Sequence, residues 1–280
     1  LLVNKFTGIK WVADFRDPWM TTGSKQLYHT CKLSIKIESW MEKQVIKNAS
    51  LVTTTTESLC DVMKKKIPEQ PESKYFYLPN GYDPDVYSYL KNENKFNTFT
   101  LTYTGGLYLG RTPEPIFKAI RNLVNLEKLA LQQINIKLVG NCRHVDGYPM
   151  ENIVRSYGLE KVVEIVSPVP YKEANRIIRK SHLALLFAPN LPYQIPAKVY
   201  DYMGAGTRVL ALAEEGATSN LVNTTKIGKS FRSTDIDGIS GFICQSLKDM
   251  NTERSEHNGF VDGYKIEKLT EKLANHIGNI

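Results

Sequence analysis

The chain has 280 residues, 42% of them hydrophobic and 23% charged, with a net charge of +7. That suffices for one large core or two ordinary ones, and it excludes a disordered, collagenous or disulfide-stapled protein. No apolar run reaches the length of a membrane span, and the start, LLVNKFTGIKW, lacks both a signal peptide's long apolar segment and an initiating Met. Cys31, Cys60, Cys142 and Cys244 form no CxxC pair and no metal-ligand spacing. Four reduced, mostly buried thiols favour the cytoplasm.

In chain order, β-branched and apolar runs predict strands at KWVADF (10–15), SLVTT (50–54), KYFYLP (74–79), FTLTYT (99–104), INIKLVG (134–140), VVEIV (162–166), LALLFA (183–188) and RVLALA (208–213). Helical patterns such as YKEANRIIRKS (171–181) and IPAKVYDYMGAG (195–206) fill the intervals. This alternation predicts an α/β protein with parallel sheets and crossover helices. The polar stretch YSYLKNENKFNTF (87–99), following the turn LPNGYDPD, marks a domain boundary. Residues 1–90 hold three predicted strands and read as an incomplete domain; residues 91–262 hold enough strand and helix pairs for a complete doubly wound domain. In residues 263–280, YKIEKLTEKLANHI puts Ile266, Leu269, Leu273 and Ile277 on one helical face. The run Lys64, Lys65 and Lys66 is either a solvated helix end or a point of attraction to an anionic membrane, which would place the chain peripherally at the inner membrane face.

The stretch TFTLTYTGGLYLGRTPEP (98–115) carries Gly105, Gly110, Arg111 and Thr112 at the spacing of a Walker phosphate loop, with Arg in place of Lys. That loop needs its last residues inside the helix. Thr112 and Glu114 each precede a proline, which pushes them out of the α region, so the helix starts near Pro113 or Pro115. No downstream apolar strand ends in the Asp that would hold magnesium, and glycines 105, 106 and 110 do not fit a dinucleotide fingerprint. What remains is a strand, a Gly-Gly turn with exposed amides, a helix start and one Arg: a diphosphate site, or a simple tight turn.

Taken together, WVADFRDPW, LPNGYDPDVY, TYTGGLYLGRTPEPIFKAI and IPAKVYDYMGAGTRVLAL resemble, in order and spacing, the GT-B glycosyltransferases of family four, notably the bacterial cell-surface polysaccharide branch. The resemblance implies two facing Rossmann-like domains. Residues 91–262 would hold a nucleoside diphosphate sugar, residues 1–90 would be the N-terminally truncated part of an acceptor domain, and the last helix would cross back to it. It also implies retention of anomeric configuration, metal independence and no organic cofactor. In the family a Gly-Arg pair and a Lys five residues later clasp the diphosphate. Here Gly105 matches the Gly, Gly106 replaces the Arg, and Arg111 stands at the Lys. Of the family's two glutamates eight positions apart, Asp201 matches the second, which bonds the ribose, and Tyr193 replaces the first. Lys198, one turn before Asp201, would supply a second cation or merely pair with Asp201. In the acceptor domain Arg16 falls where many members carry His, and Asp17 matches the following Asp. Arg16 with Asp14 and Asp17 reads either as a catalytic cluster or as a structural ion cluster. His144 is expected in the loop near the base pocket, and His182 is expected to be structural.

The function these residues imply is transfer of a sugar to a saccharide or lipid-linked acceptor. The alternatives are a sugar-nucleotide epimerase of the same fold and a non-catalytic sugar-nucleotide-binding partner. The lysines and arginines form no aromatic-interleaved patch, so nucleic acid is not an expected partner.

Overall fold

A computed structural model describes residues 2–21, 31–250 and 259–278. After α1 (Leu2–Thr7) come β1 (Val12–Phe15), α2 (Lys32–Asn48), β2 (Leu51–Thr54), α3 (Glu57–Lys66) and β3 (Tyr75–Tyr77). The three strands form one parallel sheet in the order β1-β2-β3. Thr56 starts α3 by accepting the Leu59 amide at 3.1 Å, which satisfies one of the donors a helix start leaves open. At the other end of α3 the lysine run is largely paired. Lys66 bonds to the buried Glu42 and to Thr21, and Lys64 lies 3.7 Å from Asp61.

The second half runs β4 (Phe99–Thr104), α4 (Glu114–Asn125), β5 (Ile134–Val139), the short hairpin β6 (His144–Val145) and β7 (Tyr148–Pro149), α5 (Met150–Ser156), β8 (Val163–Val166), α6 (Tyr171–Lys180), β9 (Leu183–Ala188), α7 (Lys198–Gly204), β10 (Val209–Ala213), α8 (Ala217–Thr224), β11 (Gly228–Phe231) and α9 (Ile236–Lys248). Six of these strands form a wholly parallel sheet in the order β11-β10-β9-β4-β5-β8. Counted from β4, this is the 3-2-1-4-5-6 order of dinucleotide-binding sheets, in which the winding reverses between β4 and β9. β9 is buried at all six positions because α4 and α9 cover one face of the sheet and α6, α7 and α8 the other. Each fully buried Leu or Phe in these layers contributes about 1.5–3 kcal/mol.

Every strand predicted from sequence forms. β11 was not predicted, because GKSF has no apolar run; it is an edge strand buried only at Phe231. α4 starts at Glu114 with Pro113 as its cap residue, as the two prolines require.

The last helix, α10 (Ile266–Ile277), returns to the first sheet. The Tyr82 amide donates to the Tyr264 carbonyl and the Ile266 amide to the Tyr82 carbonyl, each at 3.0 Å. His276 stacks on Phe76 of β3 with 4.4 Å between ring centres. The inward face differs from the expected one: Leu269 is buried and Leu273 and His276 half-buried, whereas Ile266 and Ile277 are 46% and 41% exposed. Held at Tyr82 and Phe76, the helix turns Leu269 towards Gly81 and His276 onto β3, and leaves Ile266 and Ile277 outward. Among the described residues no helix is long and apolar enough to cross a membrane.

Candidate functional site

The reversal between β4 and β9 opens a crevice at the carboxyl ends of the strands, where ligands of open α/β sheets collect. The turn leaving β4 lies there, and Gly105 is its tightest point. Its φ is +129°, and a Cβ on it would lie 2.4 Å from Cε and 2.5 Å from Nζ of Lys198. A Cβ on Gly140, at the end of β5, would lie 2.4 Å from the Gly105 carbonyl oxygen. Both glycines let backbone and a cation crowd into one place that a side chain would fill.

Two cations converge on this turn. Lys198, the first residue of α7, lies with Nζ 5.5 Å from the centre of the Tyr103 ring. Burial first, and the neighbouring charge of Arg111 second, hold its ammonium below the ordinary lysine value, while Asp201 acts in the opposite direction. Arg111 lies over the half-exposed ring of Tyr108, 4.3 Å from its centre, and interacts with the Tyr103 hydroxyl. That hydroxyl donates to the Gly106 carbonyl at 2.7 Å. The Gly105 carbonyl accepts from the Cys142 thiol at 3.3 Å, and burial pushes that thiol up to about 12, so it stays a donor. A Cβ on Gly106 would meet the Tyr108 ring at 3.2 Å. Tyr108 therefore occupies the space beside the position where the resembled family has its Arg, and carries Arg111 instead.

Asp201, three residues after Lys198, faces elsewhere. Its Oδ1 accepts from the Tyr87 and Tyr171 hydroxyls, both at 2.7 Å, and these hydroxyls lie 2.8 Å apart. Tyr87 is buried against Gly204, where a Cβ would lie 2.4 Å from its ring. Its carboxylate, only partly buried, ties α7 to the segment joining the two sheets.

On the opposite side the loop leaving β1 brings Arg16 and Asp17 to the carboxyl edge of the first sheet. Arg16 bonds to Asp14 at 2.7 Å and to Asn80 at 3.0 Å, and Asp14 also accepts from Thr53 at 2.6 Å. Asp17 accepts instead from Gln194 at 2.6 Å, in the loop between β9 and α7. Beside it the Thr56 hydroxyl donates to the Tyr193 carbonyl at 2.7 Å. These two bonds join the loops after β1 and β2 to the loop that leads into Lys198. Sequence reasoning missed Tyr108, Tyr87, Tyr171 and Gln194; tyrosine in YLGR was the one local signal.

The two histidines lie outside this cluster. His144 is exposed in the β6–β7 hairpin. His182 accepts the Thr100 amide through Nδ1 at 3.0 Å and is held down at about 4 by burial first and Lys95 second. It is structural, as expected. A cavity of about 560 Å³ between α3 and α8, lined by Thr56, Asp61, Tyr77, Asn220 and Tyr264, contains none of Gly105, Arg111 and Lys198.

No protein-family model and no curated protein matches the sequence. Solved structures do match the fold. HepE of Anabaena, solved with UDP-glucose, is 12% identical, with a TM-score of 0.69 over 100% of this chain and 75% of its own. Sucrose-phosphate synthase of Thermosynechococcus elongatus is 14% identical, with a TM-score of 0.70 over 99% of this chain and 69% of its own. WaaG, a glycosyltransferase involved in lipopolysaccharide biosynthesis, is 13% identical, with a TM-score of 0.57 over 94% of this chain and 74% of its own. At such identities the likeness is one of fold, and the chain has the GT-B fold of these glycosyltransferases.

Proposed function

We propose that the chain is a glycosyltransferase of the family-four, cell-surface polysaccharide kind, moving a sugar from a nucleoside diphosphate sugar to a saccharide or lipid-linked acceptor. The observation that carries this reading is the pair of cations, Arg111 and Lys198, gathered around the Gly105 turn at the switch point of the second sheet. In sugar transfer the anomeric carbon acquires oxocarbenium character while negative charge grows on the departing β-phosphate. Fixed donors aimed at that charge lower the barrier, each by about 3 kcal/mol. Lys198 suits the role: its charge is disfavoured in the free protein and is compensated when the diphosphate arrives. Arg111, Lys198 and the backbone amides of the turn would neutralise the leaving group without a metal or an organic cofactor, and the reaction would retain configuration. Arg16 and Asp17 would face the acceptor, the donor lying mainly against residues 91–262 and the acceptor against residues 1–90. Because HepE was solved with UDP-glucose, UDP is the first nucleotide to test.

A second reading, a non-catalytic sugar-nucleotide-binding partner, is favoured by one observation. Asp201, at the position that bonds the ribose in the resembled family, already accepts from Tyr87 and Tyr171. Isothermal titration with UDP, GDP and their sugars, followed by product analysis with saccharide and lipid-linked acceptors, separates the readings. Transfer supports the first; tight binding with no turnover on any acceptor supports the second. Conversion of the donor sugar without an acceptor would mean an epimerase and overturn both.

A further inference from the structure

The cavity of about 560 Å³ between α3 and α8 takes no part in the transfer proposed above, since its lining includes none of Arg16, Asp17, Gly105, Arg111 and Lys198. Three parts of the chain wall it. The first turns of α3 supply Glu57 and Asp61, four residues apart and so on one side of that helix. Helix α8 supplies Asn220 and Thr224 at the same spacing. Tyr77, the last residue of β3, and Tyr264, just ahead of α10, supply two half-buried rings whose hydroxyls bond to each other.

The polar groups on these walls are open to a ligand. Among the described residues, nothing bonds to the Glu57 carboxylate or to the Asn220 side-chain amide. Asp61 lies 3.7 Å from Lys64, too far for a hydrogen bond. Thr224 donates its hydroxyl hydrogen to the Asn220 carbonyl at 2.7 Å, which leaves its oxygen free to accept.

This lining selects a class of ligand. No Lys, Arg or His lines the cavity, so a phosphate or carboxylate would meet two like charges and no counter-charge. A lipid tail would cover Glu57 and Asp61 without giving them partners. An amine would satisfy those carboxylates and leave the Asn220 donors and the Thr224 acceptor idle. A neutral sugar uses every wall: its hydroxyls donate to the carboxylates and to Thr224 and accept from Asn220, and its C–H face covers the tyrosine rings.

We infer that this cavity is a second carbohydrate site, which holds a neutral saccharide apart from the donor crevice. Because α3 belongs to residues 1–90 and α8 to residues 91–262, a bound glycan would also bridge the two halves of the chain. The inference does not rest on the proposed activity: a chain that transferred nothing would still bind sugar here.

Neutral oligosaccharides of glucose, galactose and N-acetylglucosamine, screened by thermal shift of the full chain and then titrated by calorimetry, test it. At least one should bind saturably and raise the thermal midpoint. Glu57→Ala should weaken that binding roughly tenfold or more, and Asn220→Ala roughly fivefold. Both side chains are exposed, so the midpoints of the free variants should not move, and their UDP titrations should match the wild type. Added salt should change sugar affinity little, because the ligand is uncharged. Sugar binding in a chain that fails to bind UDP would still support this site while counting against the proposed activity. No saturable binding of any of the oligosaccharides, or binding that both variants leave unchanged, would overturn the inference. So would sugar binding that saturating UDP abolishes, because the sugar would then lie in the donor crevice. Salt-sensitive binding of spermidine that Glu57→Ala weakens, with no neutral sugar bound, would overturn it as well and make the cavity an amine site.

Discussion

Replacing Lys198 by Met separates a phosphate ligand from an ordinary ion-pair partner. In the free protein the ammonium lies against the Gly105 turn, partly buried, with Arg111 as a like-charged neighbour, and its protonation is disfavoured for both reasons. Met keeps the length and apolar bulk while removing the charge. The free protein should therefore keep its stability or gain up to about 1 kcal/mol. A charge-assisted bond to a diphosphate contributes about 1.5–3 kcal/mol, so affinity for UDP or GDP should fall roughly ten- to a hundredfold, with nucleoside affinity nearly unchanged. The same residue sets a pH dependence. Its pKa is lowered in the free protein and raised again by a bound diphosphate, so affinity is full below the lowered value and is lost as pH rises through it, before the ordinary 10.5 is reached. Met should abolish that loss. Isothermal titration across pH, with thermal denaturation of the free proteins, measures all three effects. Loss of more than about 1 kcal/mol of stability with unchanged diphosphate affinity would refute the reasoning and make Lys198 a structural partner of Asp201.

Other outcomes follow from the same contacts. Arg111→Ala should cost on the order of 2 kcal/mol in nucleoside diphosphate affinity, about thirtyfold, with little change for the nucleoside; Tyr108→Ala, which removes only the ring beneath the guanidinium, should cost about 0.5–1 kcal/mol in the same titration. Asp201→Ala should destabilise the fold by about 1–3 kcal/mol in urea unfolding, because it strips the buried Tyr87 hydroxyl of an acceptor, and Tyr87→Phe in the same chain should cancel part of that loss. His182 is neutral in the folded protein above about 4, so the stability it gives is complete above the ordinary 6.5 and is lost as pH falls from 6.5 towards 4. Allowing for its partial exposure this amounts to about 2 kcal/mol, and His182→Asn, which keeps an acceptor for the Thr100 amide, should flatten the profile.

The strands were legible because runs such as LALLFA and FTLTYT are buried on both faces of a parallel sheet and need no polar alternation. GKSF, at the edge, needs little burial and left no such mark. Proline chemistry at 113 and 115 fixed the start of α4, since that constraint is local. The site was only partly legible. Gly105 and Arg111 belong to one short loop, but Lys198 meets Gly105 only because β9 pairs beside β4, a consequence of strand order. The partners of Asp201 were hidden for the same reason: Tyr87 lies 114 positions away and packs against α7 only once the joining segment folds over it. Its helical spacing from Lys198 suggested a shared face, and the structure divides the two residues between the Gly105 turn and the joining segment.

The central claim, that the Gly105 turn with Arg111 and Lys198 holds the diphosphate of a sugar nucleotide, is tested most directly by isothermal titration of UDP, GDP and their sugars into the wild-type chain and the Arg111→Ala, Lys198→Met double variant. The account predicts saturable binding of at least one nucleoside diphosphate by the wild type and its loss, by several hundredfold or more, in a double variant that remains folded. Binding that survives unchanged in the double variant, or no binding of any nucleoside diphosphate by the wild type, would contradict it.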